Sequence, residues 1–375
     1  MEEIDIIRIL KKLVQFPTEN PPGRTKEIIN FLVSEVFKES DGFINEIIPY
    51  QKRNIELHNL VSKIGTGPQK IIFSGHLDVV PAGGLSLWRY PPFSAEIEDG
   101  KLYGRGACDM KAGIAMLIGT IMNLKKYPEL LERYTILFLG SADEEAGMTG
   151  AYTCVRKGVM EDAILLVVAE PTNMKLGIAE KGLLWMDLYI RGKAAHASIP
   201  GSGLNSIEGA MKLIPYLYEC LDNTEDNLLG KSSLNIGKIN GGIANNIVPE
   251  ETKMSIDYRL IPKHDLKILV KKVKELDLTP YELIVKVTHT LPAVKAEINH
   301  PFIQNLKEIT NSDFIGLPYA TDTAVLINPK RPIPFLIYGP GDAQVIHREN
   351  EYVEIKDLVK SIDYLTKALL KTYLK

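Results

Sequence analysis

Cysteine is scarce in this chain. Its 375 residues hold three, Cys108, Cys154 and Cys220, an odd and widely spaced set. That excludes a disulfide scaffold and a zinc site built of thiolates alone, and it suits a reducing compartment. Long apolar runs are lacking too. The two longest, residues 112–122 and 163–169, fall short of the ~20 residues a spanning helix needs. The opening Met1-Glu2-Glu3-Ile4-Asp5 is acidic where a secretory leader is basic. The expectation is a soluble, cytoplasmic protein with no membrane partner. Neither charge is in excess: 44 Lys and Arg against 47 Asp and Glu leave a formal charge of −3. No general electrostatic pull toward nucleic acid exists, and none is expected as a partner. The sequence shows no repeat or low-complexity segment, and no strand–Gly-x-Gly-x-x-Gly–helix run that would mark a nucleotide site. Histidine numbers only seven, so each position is informative.

What is present is the material of a folded protein. Hydrophobic residues are 45% and charged residues 24%, and the length predicts two or three domains at ~150 residues each. Ile6, Ile7, Leu10, Leu13 and Val14 recur at helical spacing, and residues 25–36 repeat the pattern. Short strands are predicted at 59–64, 70–74, 134–139 and 163–169, with a Gly- and Pro-rich loop at 81–92 and a helix at 111–125. Three of these strands run out into polar sequence: Gly75-His76-Leu77-Asp78, Gly140-Ser141-Ala142-Asp143-Glu144-Glu145, and Glu170-Pro171. Strand alternating with helix predicts an α/β domain with parallel strands, whose ligands sit at the carboxyl ends of the strands. After about Gly177 the style changes. Strands at 183–190, 233–239, 253–260 and 283–288, with helices at 206–221 and 265–276, fit an α+β module with an antiparallel sheet. From about Pro292 the first style returns, with a helix at 301–310, a strand at 334–338 and a last helix from 355. The predicted organisation is a discontinuous domain, 1–178 and 292–375, interrupted by a smaller domain at 179–291.

The strand ends carry the chemistry. His76 has Asp78 two residues on, and a metal-bound histidine commonly gives its second N–H to a carboxylate or carbonyl. Gly104-Arg105-Gly106-Ala107-Cys108-Asp109-Met110-Lys111 is a glycine-rich entry to a helix without the Gly-Lys-Ser/Thr of a phosphate loop. Asp109 there is either an N-cap or a carboxylate shared between two cations. Asp143, Glu144 and Glu145 repel one another unless protons or cations intervene, and adjacent glutamates can divide metal binding from proton transfer. Glu170, at the mouth of a buried strand, needs a partner. His347 follows Gly339-Pro340-Gly341-Asp342. Singly, each has a plain account: a solvated strand-end pair, an N-cap, an acidic loop, a surface histidine. Jointly they make a set of nitrogen and oxygen donors without thiolate, which suits zinc, cobalt or manganese. Cys108 reads as a small packed residue.

In this ordered set, with Ser74-Gly75-His76-Leu77-Asp78-Val79-Val80-Pro81, Glu170-Pro171-Thr172 and His347 near Asn350-Glu351, the chain resembles the co-catalytic zinc family. Its members include aminoacylases, acetylornithine deacetylases, succinyl-diaminopimelate desuccinylases and glutamate carboxypeptidases. The resemblance runs over nearly the whole length. It implies a three-layer α/β/α catalytic domain with an inserted α+β domain that serves as lid and homodimer contact. It implies two divalent ions, zinc with cobalt or manganese as alternatives. His76 and Glu170 would ligate one, Glu145 and His347 the other, with Asp109 bridging. Glu144 would be the general base and Asp78 the residue that orients His76. Ala194-Ala195-His196-Ala197-Ser198 resembles the segment whose histidine reaches the substrate carbonyl. Asn240-Gly241-Gly242-Ile243-Ala244-Asn245-Asn246-Ile247-Val248-Pro249 resembles a substrate loop, with Asn246 the better match and Asn245 the other. Asp257-Tyr258-Arg259 resembles the motif whose arginine takes the substrate carboxylate, and Thr321-Asp322 stands where the family has a substrate loop. Lys181, in Glu180-Lys181-Gly182, is a candidate second cation for a succinyl group, where desuccinylating relatives often show Arg-Arg-Gly. The implied reaction is removal of an acyl group from a small anionic N-acyl amino acid by metal-activated water. A dipeptidase or carboxypeptidase is the alternative within the family, and a non-catalytic metal-binding homologue the alternative outside it.

Overall fold

The computed structural model describes residues 3–328 and 331–374; Met1 and Glu2, part of the acidic opening, lie outside the described residues. The chain divides into two compact units. The first holds 1–178, 296–315 and 321–375, and the second holds 179–295 and 316–320. The second unit therefore takes in residues 292–295 and 316–320, which composition assigns to the first. Backbone pairing is the reason. Val294 and Lys295 pair with Glu180 and Ala179, and the Lys181 amide donates to the Leu317 carbonyl at 3.0 Å.

In the first unit, strand Gln69–His76 lies between Tyr134–Ser141 and Ala163–Val168, parallel to both. Phe335–Ile337 extends the parallel set beside Ala163–Val168. Residues 71–73, 136–139 and 165–168 are buried without a break, as strands covered on both faces must be. The sheet is mixed, not wholly parallel. Ile55–Ile64 runs antiparallel to Tyr134–Ser141 and forms a hairpin with Ile44–Lys52. The turn residues Arg53 and Asn54 both have positive φ, 47° and 64°, matching the twist of a two-residue hairpin. Sequence pattern misses Ile44–Lys52, because Ile44 and Ile47 are exposed and Pro49 interrupts it. An edge strand tolerates both.

Register decides where the polar ends fall. His76 lies opposite Ser141, and Ser74 opposite Val168. The three central strands thus stop at one edge, and that edge delivers His76, the turn at 142–145 and Glu170. A small antiparallel sheet of Glu96–Glu98, Lys101–Tyr103 and Tyr352–Glu354 brings the chain after His347 alongside the loop that carries Asp109. Helix Ala112–Leu124 is buried along nearly its whole length, packed against helices Glu3–Gln15 and Ile355–Tyr373. The stretch 107–124 is apolar enough to pass for a membrane span, with a mean hydropathy of 1.2, yet 89% of it is buried inside the protein. It is the central helix of a core.

The second unit carries a four-stranded antiparallel sheet in the order Ser233–Gly241, Glu251–Leu260, Gly182–Arg191, Glu282–Leu291. Burial alternates residue by residue along Glu251–Leu260, the period-two signature of a sheet with one covered face. Leu184, Met186, Met254, Ile256 and Tyr258 on that face pack against Leu213 and Leu217 of helix Ser206–Glu219 and Leu269 and Val273 of helix Leu266–Lys274. Asn205 and Asp265 cap the two helices by accepting N–H groups of the first turn.

Gly113 tests how closely helix and strand end are packed. A glycine inside a helix is ordinarily about 0.5–1 kcal/mol worse than alanine. Here a Cβ would lie 1.9 Å from the Ala169 carbonyl oxygen, so a methyl group must push the helix off the strand end that leads into Glu170. Gly113→Ala is expected to lose about 1–3 kcal/mol of stability in urea unfolding. A stabilised variant would contradict this packing.

Candidate metal centre

Asp109 is the centre of the site. Its carboxylate faces two imidazoles, with one oxygen 3.1 Å from His76 Nε2 and the other 3.2 Å from His347 Nε2. Glu145 lies 3.2 Å from the same His347 nitrogen. Ligand atoms of His76, Asp109 and Glu145 all fall within 4.8 Å of one another, close enough to hold one metal ion. Glu144 and Glu170 join the cluster electrostatically: the Glu170 charge raises the Glu144 pKa, and the Asp109 and Glu145 charges raise that of Glu170.

Two buried carboxylates hold the backbone that presents these groups. Glu351 accepts the Gly106, Cys108 and Asp109 amides at 3.1, 2.8 and 3.0 Å and the Arg105 guanidinium at 2.7 Å. It ties the Asp109 loop to the segment bearing His347. Asp78 does the same for the acidic turn, accepting the Glu144 and Glu145 amides at 3.2 and 3.3 Å. This differs from the expectation for Asp78. His76 Nδ1 meets the Asp78 backbone carbonyl at 2.9 Å, and the nearer carboxylate oxygen is 3.9 Å away, beyond hydrogen-bond reach. Asp78 fixes the His76 ring through its main chain, and its side chain is occupied by the next strand's turn.

Charge crowding shows in the protonation equilibria. Burial, then the Glu170 and Glu145 charges, push the Glu144 carboxyl well above the ordinary carboxylate range. Burial and Asp109 do the same to Glu170 and raise Glu145. Burial opposes a charged His76, but its Asp109 hydrogen bond and Glu170 carry it well above the usual imidazole value. Hydrogen bonds to Asp109 and Glu145 lift His347 to about 10. Asp109 is held well below its normal range: burial would raise it, and the bonds to His347 and His76 prevail. Behind the cluster, buried Asp322 accepts the Ser141 hydroxyl at 2.5 Å. Burial, and the charges of Asp78 and Asp143, raise it to about 7.

The remaining expected residues have local partners. His196 is exposed, and its Nδ1 accepts the Ser198 amide at 3.2 Å, which leaves the proton on Nε2. Asn245 and Asn246 are exposed beside it; the Asn246 carbonyl accepts the Ala197 amide at 3.0 Å, and the Val248 amide donates to Ala195 at 2.8 Å. The Arg259 guanidinium pairs with Asp257 at 3.0 Å. Lys181 Nζ donates to the Lys231 carbonyl at 2.5 Å, and burial lowers its pKa. Thr321 is buried, its hydroxyl donating to Thr323 at 2.8 Å. Asn20, Lys52, Arg105 and Glu351 also shape the site, and sequence reasoning gives them no role. Arg105 and Glu351 have a signal there, one inside the glycine-rich run before Asp109 and the other shortly after His347; Asn20 and Lys52 have none.

A mixed α/β sheet with an inserted α+β unit, and a histidine–carboxylate cluster at its carboxyl edge, is an arrangement suited to a metal-dependent hydrolase. Residues 72–371 match the sequence profile of peptidase family M20/M25/M40, and the chain belongs to that family of amide-bond hydrolases. It is 30% identical, over 100% of its own length and 98% of the relative's, to a Staphylococcus aureus protein named "probable succinyl-diaminopimelate desuccinylase". It is 27% identical to the acetylornithine deacetylase of Shigella sonnei, over 93% of each chain. Among solved structures, an M20 family metallo-carboxypeptidase of Sulfolobus solfataricus aligns with a TM-score of 0.78 over 100% of this chain and 99% of that one. At 18% identity the likeness is one of fold.

With His347 raised to about 10, the metal-free site holds that proton at neutral pH. A cation taking this nitrogen must displace it. Calorimetric Zn2+ titration of chelator-treated protein is expected to give heats that change with the buffer's ionisation enthalpy, and an affinity that rises from neutral pH toward pH ~10. Heats indifferent to the buffer would contradict the protonated site.

Proposed function

We propose that the chain is a two-metal deacylase of small N-acyl amino acids. The observation that carries this reading is the Asp109 carboxylate set between two imidazoles, with Glu144, Glu145 and Glu170 crowded around it. The donor set is nitrogen and oxygen only, which fits zinc and also cobalt or manganese. In this reading His76 and Glu170 would hold one ion and Glu145 and His347 the other, with Asp109 shared between them. When bound, the ions supply Lewis acidity and lower the pKa of water.

The chain's own residues do the rest. Glu144 takes the proton of the attacking water and hands it to the amine as the amide bond breaks, giving a carboxylate and an amino acid. Its raised carboxyl matches a group that must hold a proton between those steps. His196, with Nε2 as its protonated nitrogen, is suited to donate to the developing oxyanion. Arg259 is the group for the substrate carboxylate, which its planar fork matches, and Asn246, Asn245 and Thr321 complete the substrate contacts. The names of the two relatives support an N-acyl amino acid, one with a succinyl group and one with an acetyl group. Lys181 favours acetyl, since its ammonium is already committed to the Lys231 carbonyl and a succinyl carboxylate needs a second cation. The Sulfolobus fold relative keeps a carboxypeptidase as the second reading. The enzyme is read as cytoplasmic and as a homodimer joined through the inserted domain, whose strand Ser233–Gly241 is, among the described residues, at an edge of its sheet.

The test is a panel of N-acetyl-L-ornithine, N-acetyl-L-lysine, N-succinyl-diaminopimelate and dipeptides, with Zn2+, Co2+ or Mn2+ added. N-acetyl substrates are expected to be cleaved fastest, and a chelator to abolish the activity. Glu144→Gln is expected to lower kcat about 10²–10⁴-fold with metal content unchanged. Near-normal turnover in that variant would remove Glu144 from its role.

A further inference from the structure

The turn carrying Glu144 and Glu145 is gripped by groups that the proposed chemistry does not use. Asp143, which opens it, is 1% exposed and sits at φ 71°. Both of its carboxylate oxygens accept from Lys52 Nζ at 2.5 Å. The same ammonium reaches the Ala146 carbonyl at 2.9 Å, so Lys52 spans the turn from its first residue to its last. The Asn20 amide supplies a second brace. One N–H donates to Asp143 at 3.1 Å and the other to Asp78 at 2.8 Å. Asp78 in turn accepts the Glu144 and Glu145 amides. Asn20 is itself fixed, its backbone amide donating to the Val79 carbonyl at 2.8 Å.

Two carboxylates buried side by side repel unless something is placed between them. Asn20 bridges the two, and Lys52 supplies the counter-charge to Asp143. Their donors are charge-assisted, and they arrive from two segments remote in sequence, the end of strand Ile44–Lys52 and the chain that follows helix Glu3–Gln15. We propose that Lys52 and Asn20 are positioning residues of the catalytic turn: through Asp143 and Asp78 they set where the Glu144 base and the Glu145 ligand stand. This rests on the roles proposed above for Glu144 and Glu145. Among the described residues, the side chains of Lys52 and Asn20 hydrogen-bond to Asp143, Asp78 and the Ala146 carbonyl and to none of the proposed metal ligands. Misplacement of a reacting group by about 1 Å is enough to cost about 10²-fold in rate, and loss of an outer partner of a metal ligand costs about 10–100-fold in affinity or activity.

Lys52→Met, Lys52→Arg and the double variant Lys52→Met/Asp143→Asn test this in the full-length protein. The readouts are Co2+ affinity by calorimetry and steady-state kinetics on N-acetyl-L-ornithine, expressed per Co2+-loaded site. Lys52→Met is expected to weaken Co2+ binding and lower kcat about 10–100-fold with KM within about twofold, and Lys52→Arg to restore most of both. A merely structural lysine would lower the melting temperature and leave kcat per loaded site and Co2+ affinity at the unmodified values; that result overturns the proposal. Lys52→Met leaves Asp143 buried without its counter-charge. If it does not fold, the double variant, which removes both charges, decides between the two roles by the same two readouts. If the unmodified protein cleaves nothing in the panel, the proposed activity fails, and the Co2+ isotherms still decide whether Lys52 positions the turn.

Discussion

Negative charge gathered in one buried place is the constraint from which the rest follows. Asp78, Asp109, Asp143, Glu170, Asp322 and Glu351 are all buried, with Glu144 and Glu145 beside them. Two like charges about 4 Å apart near a protein surface repel by about 4 kcal/mol. Most of the cluster is answered by fixed donors. Arg105 and three amides serve Glu351, Lys52 serves Asp143, and two imidazoles serve Asp109. Glu144 and Glu170 are left over; among the described residues no lysine or arginine pairs with either. Burial raises the pKa of both carboxyls, and divalent cations are the natural partners for them.

The fold exists around that cluster in a specific sense. Three parallel strands buried on both faces end in register, so each hands one polar segment to the same edge. A helix seated against the Ala169 carbonyl closes one side. The clamps at Glu351 and Asp78 then convert loop backbones, which would otherwise be the least determined part of the structure, into fixed supports. This is the division of labour expected of a rigid scaffold with a site at its strand ends.

Much of this is legible in the sequence, and the exceptions are instructive. Apolar runs that stop abruptly at His76, Asp143 and Glu170 announce both the strands and their common edge, because burial on both faces leaves no alternation to confuse the pattern. Residues 301–310 announce their helix as plainly. Strand Ile44–Lys52 is not legible, since an edge strand with exposed isoleucines and a proline carries neither period, and Lys52 is hidden with it. Asn20 is hidden for another reason: its two partners lie 58 and 123 residues away, and nothing local distinguishes an amide that bridges carboxylates from one in a turn. The Asp78 side chain shows the limit of spacing as evidence. Its distance in sequence from His76 is right for orienting the ring, yet the carbonyl does that work and the carboxylate serves the neighbouring turn.

The central claim is that the excess negative charge at this sheet edge is the seat of a pair of metal ions. Anomalous diffraction at the zinc edge, on crystals grown with Zn2+, tests it most directly. The account predicts two anomalous peaks, one bounded by His76, Glu170 and Asp109, the other by Asp109, Glu145 and His347. Zinc found only elsewhere on the surface, with this cluster metal-free at saturating Zn2+, would contradict it.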